Sequence, residues 1–108
     1  MNIIDKIWGN TSELLSINSV SINRLNITAN SKCSRHYHQY KYNIFYIENG
    51  SIIVHIWKDD KQESFVLKSG ESLTIPPNTQ HQFESICDSV VYEIYYTLTT
   101  SDDIIRIV

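Results

Sequence analysis

Little in this sequence bends, staples or spans. Three glycines and two prolines in 108 residues leave no room for long linkers or a disordered tract. Two cysteines, Cys33 and Cys87, are too few for a disulfide scaffold and read as two idle thiols rather than a redox pair. No apolar run reaches membrane-spanning length. The segment Met1–Trp8 has no long apolar core behind a basic start, so a secretory signal is not expected and the cytoplasm is the default location. Basic residues are not in excess: nine stand against twelve acidic, for a net charge of -3, which argues against a general nucleic-acid binder. Internal repeats and low-complexity stretches are absent, and no segment shows helical periodicity.

What remains is strand after strand. Val20–Thr28 alternates, but its apolar residues change face midway, which implies a twist, a bulge or a strand covered on both sides. Ala29–Lys32 reads as a turn in which Asn30 tolerates a left-handed backbone. Cys33–His38 reads as a strand, and so does Lys41–Glu48, with Asn43, Phe45 and Ile47 on one face and Tyr42, Ile44 and Tyr46 on the other. Asn49-Gly50 is a hairpin signal, and Ser51–Trp57 is β-branched and aromatic. After a solvated Lys58–Lys61 turn come further strands at Ser64–Leu67, Ser72–Ile75, His81–Ser85 and Val90–Leu98, with 101–108 a last strand or a tail. Many short strands between turn signals imply one antiparallel, all-β domain over 1–108, a sandwich or barrel.

The chemistry sits in two segments. In a strand, alternate side chains share a face, so His36 and His38 project the same way, roughly 6–7 Å apart. Asn43 follows on the same run, and Gly50 closes it. A second segment, Gly70 to His81, ends a strand in the turn Pro76-Pro77-Asn78 and delivers another histidine. Two imidazoles from one face and a third from another strand can meet at one divalent metal. Neutral imidazoles suit Zn, Fe, Ni, Co or Cu, with Mn within range.

These segments resemble the two motifs of the cupin superfamily. The first runs Gly, five residues, His-x-His, three or four residues, Glu, six residues, Gly. His36, His38 and Gly50 stand in its places, and Asn43 takes the Glu place. The second runs Gly, five residues, Pro-x-Gly, two residues, His, three residues, Asn. Gly70, Pro76 and His81 match it, with Asn78 for Gly and Ser85 for Asn. The resemblance implies a double-stranded β-helix with a metal held by His36, His38, Asn43 and His81 in the mouth of the barrel. Within the superfamily, Lys6-x-Trp8-Gly9, Val20–Leu25, Gly70-Glu71-Ser72, Ile75-Pro76, Glu93-Ile94 and Asp102–Arg106 look like the C-terminal domain of type II mannose-6-phosphate isomerases. That family usually has Gln where His36 stands, and Glu where Asn43 stands. Its guanylyltransferase partner domain is absent, so nucleotidyl transfer is not implied.

The resemblance implies a metal-dependent enzyme on a sugar or sugar phosphate, with aldose–ketose isomerase or epimerase chemistry ahead of lyase chemistry. Such a reaction moves a proton between adjacent carbons, which calls for a metal to polarise oxygens and a base to carry the proton. Glu93 and Tyr95 share one face of their strand and serve as base and hydroxyl donor if that face points inward. If Tyr92, Ile94 and Tyr96 face inward instead, Glu93 is simply solvated. Lys41 stands where the isomerases commonly have Arg, as a phosphate contact or a rim lysine. Arg106 offers the same choice, or pairs with Asp102 or Asp103. His55 lies in a strand with no motif around it and reads as structural or exposed. A second hypothesis is a binding module for a sugar or other small polar ligand, without catalysis. A third, by fold analogy alone, is an iron dioxygenase on a three-histidine site. Exposed strand edges point to a homodimer.

Overall fold

Residues 2–98 are described by the structure, a computed structural model. Nine strands are present among them and no helix: β1 (Ile3–Lys6), β2 (Gly9–Ile17), β3 (Val20–Ile27), β4 (Tyr42–Asn49), β5 (Ser51–Lys58), β6 (Lys61–Lys68), β7 (Ser72–Ile75), β8 (Gln80–Ser85) and β9 (Ser89–Tyr96). No helix is long and apolar enough to cross a membrane. All pairings are antiparallel, in a larger sheet ordered β1-β2-β3-β9-β4-β7 and a smaller one ordered β6-β5-β8. This is the expected all-β sandwich. The expectations for 101–108, including Asp102, Asp103 and Arg106, lie outside the described residues.

The two sheets face each other across an apolar core that follows from strand alternation. Leu25 and Ile27 of β3, Phe45 and Ile47 of β4, Ile52 and Val54 of β5, Leu67, Ile75, Phe83 and Val91 are all buried. Each fully buried side chain of this size contributes about 1.5–3 kcal/mol. Asn43 shares the inward face of β4 with Phe45 and Ile47, as its parity requires.

Three local expectations are corrected. Asn49-Gly50 does not close a hairpin, because β4 and β5 belong to different sheets. Gly50, at a φ of 97°, carries the chain from one layer to the other, and a Cβ there would lie 2.3 Å from Ser89 Oγ. The strand expected at Ser64–Leu67 is longer, Lys61–Lys68, because Asp59 and Asp60 both take left-handed backbones (φ 51° and 63°) and make the two-residue hairpin of β5 and β6. Cys33–His38 is no regular strand. It touches β8 through two isolated bridges, Lys32 to Glu84 and His36 to His81. The two pairings differ in register by one residue, so one extra residue is accommodated between them, as in a β-bulge.

Candidate metal centre

That bulge decides where the side chains of the segment go. Cys33 and His36 both turn toward the interior and line the same cavity, while Arg35 turns outward onto Trp57, its guanidinium carbon 3.9 Å from the ring centre. The His36 backbone exchanges both of its hydrogen bonds with His81 (3.1 and 2.8 Å), which sets the two histidines side by side. His38 is tied down by its own carbonyl, which accepts from the N–H of Asn78 at 2.7 Å. Asn78 sits at a φ of 60°, so it supplies the backbone of the glycine it replaces in the motif. Asn30, where the first motif begins with Gly, does the same at 59°. Ser85, in the place of the motif's last Asn, accepts from the N–H of Ser31 and donates to the carbonyl of Thr28, holding the turn that precedes the bulge.

Ligand-capable nitrogens of His36, His38 and His81 all lie within 4.8 Å of one another. Two of the rings are oriented alike. His36 Nδ1 donates to the carbonyl of Ser34 and His81 Nδ1 to that of Thr79, each at 2.8 Å and each two residues back. A carbonyl can only accept, so Nδ1 carries the proton and Nε2 offers its lone pair. This outer-shell bond is the usual way a ligating imidazole is aimed. Burial first, and then the neighbouring His36 imidazole, disfavour charge on His38 and on His81. They lower His38 from its ordinary value and His81 to about 4, with the Thr79 hydrogen bond opposing the latter shift. Neutral imidazoles at neutral pH are what a metal requires.

Two buried atoms at this place have no hydrogen-bond partner, His38 Nε2 and Asn43 Oδ1. An orphaned buried polar atom costs about 1–3 kcal/mol, and a cation bound by the three histidines removes that cost for His38 Nε2. The donor set therefore fits a divalent ion. Asn43 is fully buried, with its Nδ2 3.5 Å from His81 Nε2 and donating to Glu93 Oε2 at 3.2 Å.

β9 presents Glu93 and Tyr95 inward. Both line a cavity of about 480 Å³ with His36, walled by Trp8, Leu25 and Phe83. Burial pushes the Glu93 carboxyl above its ordinary value, against hydrogen bonds from Tyr95 and Asn43 that favour the charged form. Burial and the Glu93 charge push the Tyr95 phenol well above its usual range, so it stays a donor. Lys41 lies outside at the rim, its Nζ 5.5 Å from the Tyr95 ring centre. Cys33 lines the cavity as an unreactive thiol, pushed up to about 11 by burial, and neither cysteine is in a disulfide.

His55 lies on the outer face of the smaller sheet, held between Ser64 Oγ (2.7 Å) and the Glu84 carboxylate. Ser64 lines none of the described cavities, and the sheet ladder occupies the backbone donors around it, so this group holds strands together. Sequence reasoning passed over Arg35 and Gln80. Arg35 Nε donates to Gln80 Oε1 at 2.8 Å, joining the residues just before His36 and His81 on the opposite face of their bridge. Their position one before each motif histidine is the signal that could have found them.

The family model described as Cupin domain matches residues 23–95. Comparison with curated proteins found no match. Among solved structures, KdgF from Halomonas sp. superposes with a TM-score of 0.77 at 15% identity, over 92% of this chain and 88% of that one. The Cnp3 cupin domain of Schizosaccharomyces pombe gives 0.76 at 15% identity, over 91% of this chain and 69% of that one. An oxalate decarboxylase of Bacillus subtilis gives 0.78 at 13% identity over 89% of this chain, which spans only 27% of that larger protein. At such identities the likeness is one of fold.

Proposed function

This chain belongs to the cupin domain family, and from that premise we propose that it is a metal-binding cupin acting on a sugar or sugar phosphate, with isomerase or epimerase chemistry. The observation that carries the reading is the His36, His38 and His81 cluster, set at the edge of a cavity that His36 lines together with the Glu93 carboxyl. The cupin fold alone hosts many reactions, and the residues of the site decide among them. The sequence resemblance to the mannose-6-phosphate isomerase domain supports the sugar class. Under this reading the unpartnered Oδ1 of Asn43 is the fourth donor the site can offer.

When bound, a divalent metal supplies Lewis-acid polarisation of substrate oxygens. The protein's own residues do the rest. Glu93 takes a proton from a carbon beside the polarised oxygen and returns it to the neighbouring carbon. Its raised pKa brings it nearer to neutral pH than an exposed carboxylate, as a base in this role needs. Tyr95 and Asn43 donate to the Glu93 carboxylate and hold its orientation. Trp8 and Phe83, packed edge to face at 5.2 Å, form an apolar wall that limits water in the cavity. Lys41 at the rim serves a phosphate on the far end of the substrate.

The test has two stages. Elemental mass spectrometry of untagged protein should find near-stoichiometric metal, lost in His81→Ala. Sugar phosphates incubated in deuterated water should then exchange a carbon-bound proton. Chelator should stop the exchange, and Glu93→Gln should stop it while keeping the metal. Protein that refuses added Zn, Mn, Ni and Fe overturns the metal centre, and metal-loaded protein without exchange overturns the isomerase. The neutral amide of Asn43, where the isomerase family has a carboxylate, favours one second reading: a sugar-binding module that is stabilised by its ligand and exchanges nothing.

A further inference from the structure

The larger sheet has six strands and the smaller three, so part of its inner face has no sheet opposite. There β2 and β3 present Thr11, Asn23 and Leu25 to the cavity that His36, Glu93 and Tyr95 also line. Strand pairing sets Asn43 beside Tyr95 and Glu93 beside Asn23, so a polar track leads from the histidines across the sheet. The Asn23 amide is weakly engaged, with Nδ2 3.4 Å from Ser21 Oγ. Two lysines join this lining: Lys6, at the end of β1, and Lys32, just before the bulged segment. Both are exposed. The ion pairs among the described residues are Arg24 with Glu48 and His55 with Glu84, so neither lysine is spoken for. Lys6 is near enough for its charge to act on Glu93. Glu93 is the single acidic side chain of the lining, so the cavity carries two ammonium groups against at most one carboxylate. That excess is opposite in sign to the chain, whose net charge is -3. A positive cleft with apolar walls focuses its field on an incoming anion.

We propose that Lys6 and Lys32 are the specificity-determining residues of this cavity, holding an anionic group of the substrate, a carboxylate or a phosphate, while Asn23 and Thr11 meet its hydroxyls. This rests on the reading of the cavity as a sugar site. Polar groups on the sheet side and Trp8 and Phe83 opposite suit a ring with hydroxyl edges and C–H faces. Lysine fits the task, because an ammonium on a flexible stem follows an anion as a point charge and selects charge rather than shape. Lys41 does not line this cavity; it lies in the hollow beside His38. The group held by Lys6 and Lys32 is therefore a second one, and a substrate that meets all three lysines is acidic at both ends.

Calorimetry on the full chain, stripped of metal by chelator and dialysed, tests this with D-glucuronate, D-glucose 6-phosphate and neutral D-glucose as probes. At least one acid probe should bind about fivefold or more tightly than glucose, and the tighter of the two tells carboxylate from phosphate. Lys6→Gln and Lys32→Gln should each weaken that probe about fivefold, the upper range for an exposed charge pair, and the double variant about 25-fold. Lys61→Gln, at the hairpin of the smaller sheet, should bind as wild type does. All three lysines are exposed, so the far-ultraviolet spectra should not change. Acid probes that bind no better than glucose overturn the proposal, and so does a double variant that keeps wild-type affinity for them. An equal loss in Lys61→Gln overturns it too, as an effect of net charge alone. No metal and no turnover enter this measurement. A lysine effect without proton exchange therefore overturns the isomerase alone, and proton exchange that the lysine variants leave unchanged overturns the lysine pair alone.

Discussion

Asn43 is the residue on which the site turns. It is fully buried, donates to Glu93, and leaves its own carbonyl oxygen without a partner. Replacing it by aspartate keeps the shape but sets a second carboxylate 3.2 Å from the first. Two carboxylates that close cannot both ionise without a cation between them. Asn43→Asp should therefore melt lower than wild type in chelator and gain more than wild type when Zn is added. Thermal melts with and without metal check this; equal shifts in both proteins would place Asn43 away from the metal. Other departures from the cupin motifs need no such compensation. Asn30 and Asn78 replace glycines at left-handed positions that asparagine tolerates, and Ser85 anchors its turn with a hydroxyl.

At the scale of elements, the bulged segment 33–38 and β8 act as one unit. Their backbones meet at the His36–His81 bridge, and Arg35 with Gln80 locks the bridge from outside. Arg35 also stacks on Trp57 and so is held on two sides. Arg35→Ala should weaken metal binding about tenfold or more, the usual effect of losing an outer-shell support. The melting of the chelated protein should shift only slightly, since the lost contacts are exposed. Competition with a chromogenic chelator measures the first and a thermal melt the second. Unchanged affinity would reduce the Arg35–Gln80 contact to a surface detail. Gly50 shows the other element-scale lesson: an Asn-Gly pair specifies a tight reversal, but not whether the two strands it joins will pair.

For the whole molecule, the buried cluster predicts how stability follows pH. In metal-free protein His81 stays neutral down to about pH 4, while in the unfolded chain it titrates near its ordinary value of 6.5. Between these values the unfolded chain binds more protons, so stability falls as pH drops through the window and levels off below about 4. This contribution is on the order of 3 kcal/mol, and the lowered His38 adds to it in the same direction. Glu93 runs the other way. Its folded pKa is raised above 4.5, so its protonation stabilises the fold at low pH and that part is lost as pH rises through the folded value. Denaturant melts from pH 4 to 7 in chelator, compared between wild type and His81→Gln, isolate the histidine part. A variant with the wild-type slope would show that His81 does not govern it.

Much of this was legible before the fold was known. Period-two alternation placed most strands within a residue or two, and put Asn43 on the buried face with Phe45 and Ile47. Two motifs at fixed spacing brought His36, His38 and His81 into view as one cluster. Local pattern determines such things because turn residues and alternation act over a few residues. It could not decide which face of β9 looks inward, since both Glu93/Tyr95 and Tyr92/Ile94/Tyr96 alternate equally well. Register against β3 and β4 decided that, and a shift of one residue would have reversed it. Nor could it decide that β4 and β5 part into different sheets, that one extra residue turns Cys33 and His36 inward together, or that Arg35 meets Gln80 across the chain. These depend on pairing between segments distant in sequence, and only the assembled tertiary structure brings such segments together.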